Sequence, residues 1–355
     1  MYSLPKIQSA EFYATKCIKD MQEYALKERD EISKRWEKST QARKNLDGKE
    51  ILLNKRKDLE MQKIRYINKQ AFNTLQKIQQ KLPKPQKLSS IYQELLNTSE
   101  SSLKEYEQAL YTIRDIQDGI DVLCSKYVQK VQYAKGHDTL KFQFKKFLGK
   151  FNSHFTKQEK AFKTLSIVSI FLTKLPTFKE MFTVAIAGFP NVGKSTLMKN
   201  ITKSDVEIQN YPFTTKGLMF GYLYQSDEPI LQFIDTPGLL GRKKSNAIEQ
   251  RAQIIIQQYA NQLIFVVDIT ESCGYELDLQ LKLLKDTTKI EKDIIIYFSK
   301  TDLFEEDEQE EFARIEKQLK KYKQFVDFEK LKTYLLEQEE KTRKVSMKTI
   351  GKIKI

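Results

Sequence analysis

Cysteine and histidine are scarce in this chain. Its 355 residues include three cysteines, Cys17, Cys124 and Cys273, and two histidines, His137 and His154. Three widely spaced cysteines, odd in number, argue against a disulfide framework and a metal cluster; they fit a reducing compartment, the cytoplasm. The two histidines have no sequence neighbours that suggest catalysis or metal binding. Long apolar runs are missing too. The longest, LSIVSIFL at residues 165–172, is far short of the roughly 20 residues a membrane span takes, and the opening MYSLPKIQSAEF lacks the charged-then-apolar pattern of a signal segment. A soluble, monomeric protein without stable membrane association is expected, and no internal repeat points to a solenoid.

Proline and glycine are nearly absent from the first part. Residues 11–81 hold no proline and one glycine, Gly48, while apolar residues recur at three- and four-residue steps among charges, so long helices are expected. LPKPQK (82–87) breaks the pattern, because proline cannot continue a helix and restricts the residue before it. Helical periodicity resumes afterwards, with interruptions near Ser99, Gly119 and KGHD, as in an antiparallel bundle. In KFQFKKFLGKFNSHF the residues Phe144, Phe147, Phe151 and Phe155 share one face, which reads as core packing rather than base stacking.

Acidic residues run short in one half only. Residues 1–180 carry 35 Lys+Arg against 21 Asp+Glu, leaving 26 against 26 in the remainder, so the net +14 lies wholly in the first half. A localised excess of this kind is a footprint for a polyanion, nucleic acid before an anionic membrane, with a generally lysine-rich composition as the competing explanation. The density peaks between Lys126 and Lys179, and Lys141, Lys145, Lys146 and Lys150 are the candidate RNA-binding residues.

After LPTF the texture changes. FTVAIA, GLMFGYLY, ILQFID, QLIFVVD and DIIIYF are short β-branched and aromatic runs alternating with helical stretches, the mark of a mostly parallel sheet with crossover helices. A chain of this length is expected to form two domains: an all-α bundle over 1–176 and an α/β P-loop domain over 177–355. Residues 303–344 read as helices with an acidic, solvated face.

The first strand runs into GFPNVGKST, which satisfies G-x-x-x-x-G-K-S ahead of a helix. Its Gly188, Asn191, Val192, Gly193, Lys194, Ser195 and Thr196 form a cradle of backbone N–H groups, with Lys194 for β and γ phosphate oxygens and the Ser195 hydroxyl for Mg²⁺. FIDTPG ends a strand at Asp235, a carboxylate for the Mg²⁺ shell, and Gly238 offers an N–H to the γ-phosphate. NYPFTTKG places Thr214 and Thr215 as a segment that orders with GTP and relaxes with GDP, Thr215 serving Mg²⁺. In YFSKTD, after another strand, Asp302 accepts the two donors that guanine has and adenine lacks, flanked by Ser299 and Lys300. KVSMK supplies Ser346, Met347 and Lys348 for the guanine O6. The catalytic candidates are Lys194, Thr215, Gly238 and Asn191.

GFPNVGKST, YPFTTK, DTPG and DITESCGYEL together resemble the Nog family, nucleolar GTP-binding proteins among the Obg-like GTPases. KIRYINKQAFNTLQKIQQKLPK and the run into LPTF are similar to that family's N-terminal helical domain. The resemblance implies a GTPase that cycles between GTP and GDP with Mg²⁺, and a partner in the large ribosomal subunit precursor, its rRNA and proteins. It implies the short, archaeal form. Three departures accompany it. Ser299 replaces the usual Asn of N-K-x-D, which implies a weaker tie between base loop and phosphate loop and looser nucleotide binding. The chain extends only seven residues past Lys348, implying little of a closing helix. Leu239 follows DTPG where many GTPases carry the glutamine that orients water, so hydrolysis is expected to be slow, and a potassium ion held at Asn191 is one source of added charge. Two other readings compete: a nucleotide-binding placeholder on pre-ribosomal RNA, and a membrane-associated GTPase with a helical stalk.

Overall fold

A computed structural model describes residues 4–40, 47–175, 181–202, 219–235, 247–290 and 292–352. The chain divides between Thr173 and Lys174 into two compact units.

The first unit is helical. The proline-poor opening forms α1 (Ala10–Thr40) and α2 (Gly48–Lys81), and α2 stops where Pro83 and Pro85 follow. A short α3 (Ser90–Asn97) precedes α4 (Leu103–Gln132), α5 (His137–Thr156) and α6 (Glu159–Lys174). The start of α4 is closed by a reciprocal cap: the Glu105 amide donates to Ser102 Oγ at 3.2 Å, and the Ser102 amide donates to Glu105 Oε2 at 2.9 Å. Helix α1 packs on α2, α2 on α4, α4 on α5, and α5 back on α1, closing a bundle. Its core holds Phe147, Phe151 and Phe155, all fully buried, with Phe147 against Tyr127 of α4 at 5.7 Å between ring centres. Phe144 is only part buried, and the Lys63 ammonium lies 4.3 Å from its ring centre. Burying each such ring contributes roughly 1.5–3 kcal/mol, which is why the aromatic stripe faces inward and the lysines outward.

One expected interruption is not there. Helix α4 runs unbroken through Gly119, because that glycine answers a packing need: a Cβ at 119 would meet the His154 ring on α5 at 2.3 Å. The glycine permits the close approach of two helices rather than ending one.

The second unit is a six-stranded sheet in the order β2-β3-β1-β4-β5-β6. Its strands are β1 (Phe182–Ala187), β2 (Met219–Gln225), β3 (Glu228–Asp235), β4 (Gln262–Asp268), β5 (Asp293–Ser299) and β6 (Lys323–Phe325). Only β2 is antiparallel, to β3; the other pairs are parallel. Helices α7 (Lys194–Thr202), α8 (Ala247–Tyr259), α9 (Leu277–Thr287), α10 (Glu306–Gln318) and α11 (Phe328–Lys352) complete it. Strands β1 and β4 are buried along their whole length, so they read as continuous apolar runs. Alternate residues feed two cores: Ala185, Phe265 and Val267 pack with α8, α9 and α10, while Val184, Ile186 and Val266 pack with α7 and α11.

Two details differ from the sequence reading of the last 50 residues. KQF forms β6, where the helix beginning at Phe304 was expected to run on to Gln324, and the helix expected from Phe328 continues beyond Lys341 through Ser346, Met347 and Lys348 as α11 instead of giving way to a loop there. The strand follows from pairing with β5, Ile295 to Lys323 and Tyr297 to Phe325, a contact that three residues of sequence do not announce.

Candidate nucleotide-binding site

Strands β1 and β4 lie side by side but their crossovers leave in opposite directions along the sheet, a switch point where α/β sheets bind ligands beyond the carboxyl ends of strands. The phosphate loop fills this position. Between β1 and α7 the backbone takes three turns with positive φ: 141° at Gly188, 63° at Asn191 and 100° at Gly193. Gly188 is required twice over, since a Cβ there would also approach the Val266 carbonyl to 2.8 Å. Val192 is buried beneath the loop, while Asn191 and Thr196 are exposed. Helix α7 begins at Lys194, so its unpaired amides and positive dipole end point out of the loop.

Lys194 is buried and its Nζ donates to the Phe189 carbonyl at 2.7 Å, bridging the loop. Burial holds its pKa below the usual lysine range, against the opposing pull of Asp235. Ser195 Oγ donates to Asp235 Oδ2 at 2.6 Å across the β1–β3 pair. Desolvation raises the Asp235 pKa, the Ser195 bond and Lys194 countering it. The other carboxylate oxygen, Asp235 Oδ1, is buried without a hydrogen-bond partner among the described residues. A hydroxyl and an orphaned carboxylate oxygen side by side form a hard-oxygen donor set that fits Mg²⁺ with its waters.

The base side is built at the end of β5. Ser299 Oγ donates to the Val192 carbonyl at 2.7 Å and lies 3.2 Å from that of Val267. The tie between base loop and phosphate loop is therefore made, although one hydroxyl proton serves one carbonyl at a time. Lys300 takes a left-handed conformation, φ 56°, and Asp302 follows on an exposed turn. The Lys300 Nζ reaches Asp268 Oδ2 at 2.7 Å and Ser272 Oγ at 2.9 Å. Asp268 is fully buried and also accepts from Thr270 Oγ1 and the Cys273 amide. Burial pushes the Asp268 pKa up, but these donors, Lys300 first, more than offset it and hold the carboxyl below its ordinary value. The stretch DITESCG marks a family likeness in the sequence; that its Asp268 clamps Lys300 depends on β4 and β5 pairing Asp268 with Ser299.

Ser346, Met347 and Lys348 are not brought to this site as a strand-end loop. They lie within α11, where backbone amides and carbonyls are engaged in the helix ladder and cannot turn to a base. The strand end beside β5 belongs to β6, and the turn after it is Val326 and Asp327, whose Oδ1 accepts from the Glu329 and Lys330 amides. Thr214, Thr215, Gly238 and Leu239 lie outside the described residues. Lys141, Lys145, Lys146 and Lys150, on α5 of the helical unit, are all exposed.

A phosphate loop, its serine–aspartate pair and a strand-end S-K-T-D on this sheet define a P-loop GTPase. Residues 183–300 match a family profile described as a 50S ribosome-binding GTPase, and residues 23–179 match the NOG1 N-terminal helical domain. The chain belongs to the Nog family. It is 34% identical over 252 residues to an uncharacterised protein of Methanocaldococcus jannaschii, covering 70% of each chain. It is 30% identical over 248 residues to nucleolar GTP-binding protein 1 of Caenorhabditis elegans, which covers 68% of this chain. The chain spans less than half the length of the nucleolar relatives it matches, 36% for that protein and 46% for the one of Encephalitozoon cuniculi. A crystal structure assigned to nucleolar GTP-binding protein 1 of Plasmodium falciparum covers 51% of this chain at 25% identity, with a TM-score of 0.38. Among the described residues no helix is long and apolar enough to cross a membrane.

Proposed function

We propose that the protein is a slow GTP hydrolase that switches its hold on large-subunit rRNA during ribosome assembly, in the cytoplasm. The observation that carries the RNA half is the division of α5: Phe147, Phe151 and Phe155 are buried in the bundle, and Lys141, Lys145, Lys146 and Lys150 are exposed on the opposite side. Exposed lysines with no core role suit phosphates, and each one neutralised releases counterions. The names of the matched profile, ribosome-binding, and of the relatives, nucleolar, support the same partner class.

In the nucleotide half, the loop amides from Gly188 to Thr196 bind the phosphates, and Lys194 exchanges the Phe189 carbonyl for β and γ oxygens. Ser195 and Asp235, with Thr215, hold Mg²⁺, which when bound neutralises charge shared by those oxygens. Gly238 offers an amide to the γ-phosphate. Asp302 reads the guanine edge, Lys300 and Ser299 fix its loop, and the turn after β6, Val326 and Asp327, serves the O6 side in this reading. Asn191, exposed at the loop tip with φ 63°, is the ligand for a potassium ion that supplies charge in place of a glutamine or arginine.

The test is binding of the full chain to large-subunit rRNA, for wild type and for the variant with all four lysines changed to Glu. The variant is expected to bind at least about tenfold more weakly and with a shallower dependence on salt. An unchanged salt slope contradicts this placement of the RNA face.

A further inference from the structure

The stretch DITESCGY does more than mark a family. Its loop, between β4 and α9, touches both halves of the nucleotide pocket. At one end Asp268 and Ser272 hold the Lys300 ammonium, at 2.7 and 2.9 Å. At the other, the Tyr275 ring stacks on Phe189 of the phosphate loop, 4.3 Å between centres and 25° apart. Phe189 is the residue whose carbonyl receives Lys194. The loop is itself braced. Asp268 accepts from Thr270 and the Cys273 amide, and Gln280 of α9 takes the Asp268 amide at 2.9 Å while donating to the Asp268 and Tyr275 carbonyls at 2.9 and 3.0 Å. The fully buried Asp268 therefore sits on a frame of side-chain and backbone bonds, and its only cationic partner among these contacts is Lys300.

We infer that Asp268 is a positioning residue for base recognition: it pins Lys300, and through it the left-handed turn that presents Asp302, to a loop that also grips the phosphate loop through Tyr275. Lys300 needs pinning because a residue with positive φ sits in a sparsely populated conformation that its surroundings must hold. Two residues later Asp302 is exposed, with its placement set by that turn. Ser299 holds the strand side of the turn and Asp268 holds the loop side. Losing the second anchor lets Asp302 sample directions in which guanine N1–H and N2–H₂ are not met together.

This inference rests on Asp302 reading the base. The experiment measures release of GDP and of IDP, which lacks the N2 amino group, from the full chain by stopped flow. In wild type GDP is held longer than IDP. In Asp268→Asn, GDP release is expected to quicken about tenfold and the GDP-to-IDP preference to shrink at least about threefold, the size expected when a charge-assisted hydrogen bond is lost. A loosening of structure alone speeds both nucleotides equally and leaves the ratio intact, and that result overturns the inference. Lys300→Met is expected to shrink the ratio as well, and adding Asp268→Asn to it to shrink it no further; additive effects overturn the claim that Asp268 acts through Lys300. Should Asp268→Asn not fold, Ser272→Ala, on the exposed side of the same contact, is expected to shrink the ratio in smaller measure, and an unchanged ratio there overturns it too. A wild type that holds GDP and IDP equally refutes the role of Asp302 instead.

Discussion

Ser299 donates its hydroxyl proton to the carbonyl of Val192 at 2.7 Å, joining the end of β5 to the phosphate loop 107 residues earlier in the chain. An asparagine amide has two protons and would satisfy both that carbonyl and a second acceptor; the serine, with Val267 also in reach at 3.2 Å, satisfies one. The direct tie from the Ser299 side chain to the phosphate loop is thus one neutral hydrogen bond. Ser299→Ala is expected to speed GDP release by about fivefold, the worth of one buried neutral bond at roughly 1 kcal/mol. Stopped-flow release of a ribose-labelled GDP measures it, and an unchanged rate means that the bond does not bear on retention.

Asp302 stands on an exposed turn, free to meet a base. Changing it to Asn replaces an acceptor by a donor, so guanine loses a partner and xanthine, with an oxygen at C2, gains one. The Asp302→Asn protein is expected to prefer XDP to GDP by about 10² or more, reversing the wild-type order. Competition binding with the two nucleotides checks this. A wild type that binds ATP as well as GTP contradicts the guanine reading at its root.

Gly119 and His154 give a test confined to the helical unit. A Cβ at 119 meets the His154 ring at 2.3 Å, so Gly119→Ala forces α4 and α5 apart or drives the histidine from its place. Overpacking of this kind costs about 1–3 kcal/mol, more than the alanine gains in helix propensity. Urea unfolding of the single variant and of Gly119→Ala with His154→Ala measures it. The second change is expected to recover most of the loss, and a double variant as unstable as the single would mean that the strain lies elsewhere.

How much of this was legible in the sequence follows from what each feature depends on. The phosphate loop is local: glycine spacing, a strand before and a helix after are all contained in GFPNVGKST and its flanks, and the structure places Gly188, Lys194 and Ser195 together as that spacing requires. The inward turn of Phe147, Phe151 and Phe155 is helical periodicity and was equally legible. Features set by distant partners were not. Gly119 looks like a helix break until His154 is beside it. KQF becomes a strand only because β5 offers an edge, and without β6 the S-M-K of α11 looked like a strand-end motif. The Asp268–Lys300 pair joins residues 32 apart whose meeting is a property of the sheet.

Asn191 carries a prediction about catalysis. If potassium held at this residue supplies charge at the β–γ bridge, GTP turnover in KCl exceeds that in matched NaCl, by less than the factor of about 10³ to 10⁵ that an arginine finger gives. Asn191→Ala is expected to erase the difference. Equal rates in the two salts, or a potassium effect that survives the alanine, leave hydrolysis to be stimulated by the partner.

The central claim, that the nucleotide state governs the hold on RNA, is tested most directly by one comparison. The full chain is titrated onto large-subunit particles in the presence of GDP or of a non-hydrolysable GTP analogue, and the two affinities are measured by co-sedimentation. A switch requires a coupling free energy between the sites, and an affinity ratio of about tenfold or more is predicted. Equal affinities in the two states would contradict the account and leave the pocket a stabiliser of a protein that binds RNA without regard to its nucleotide.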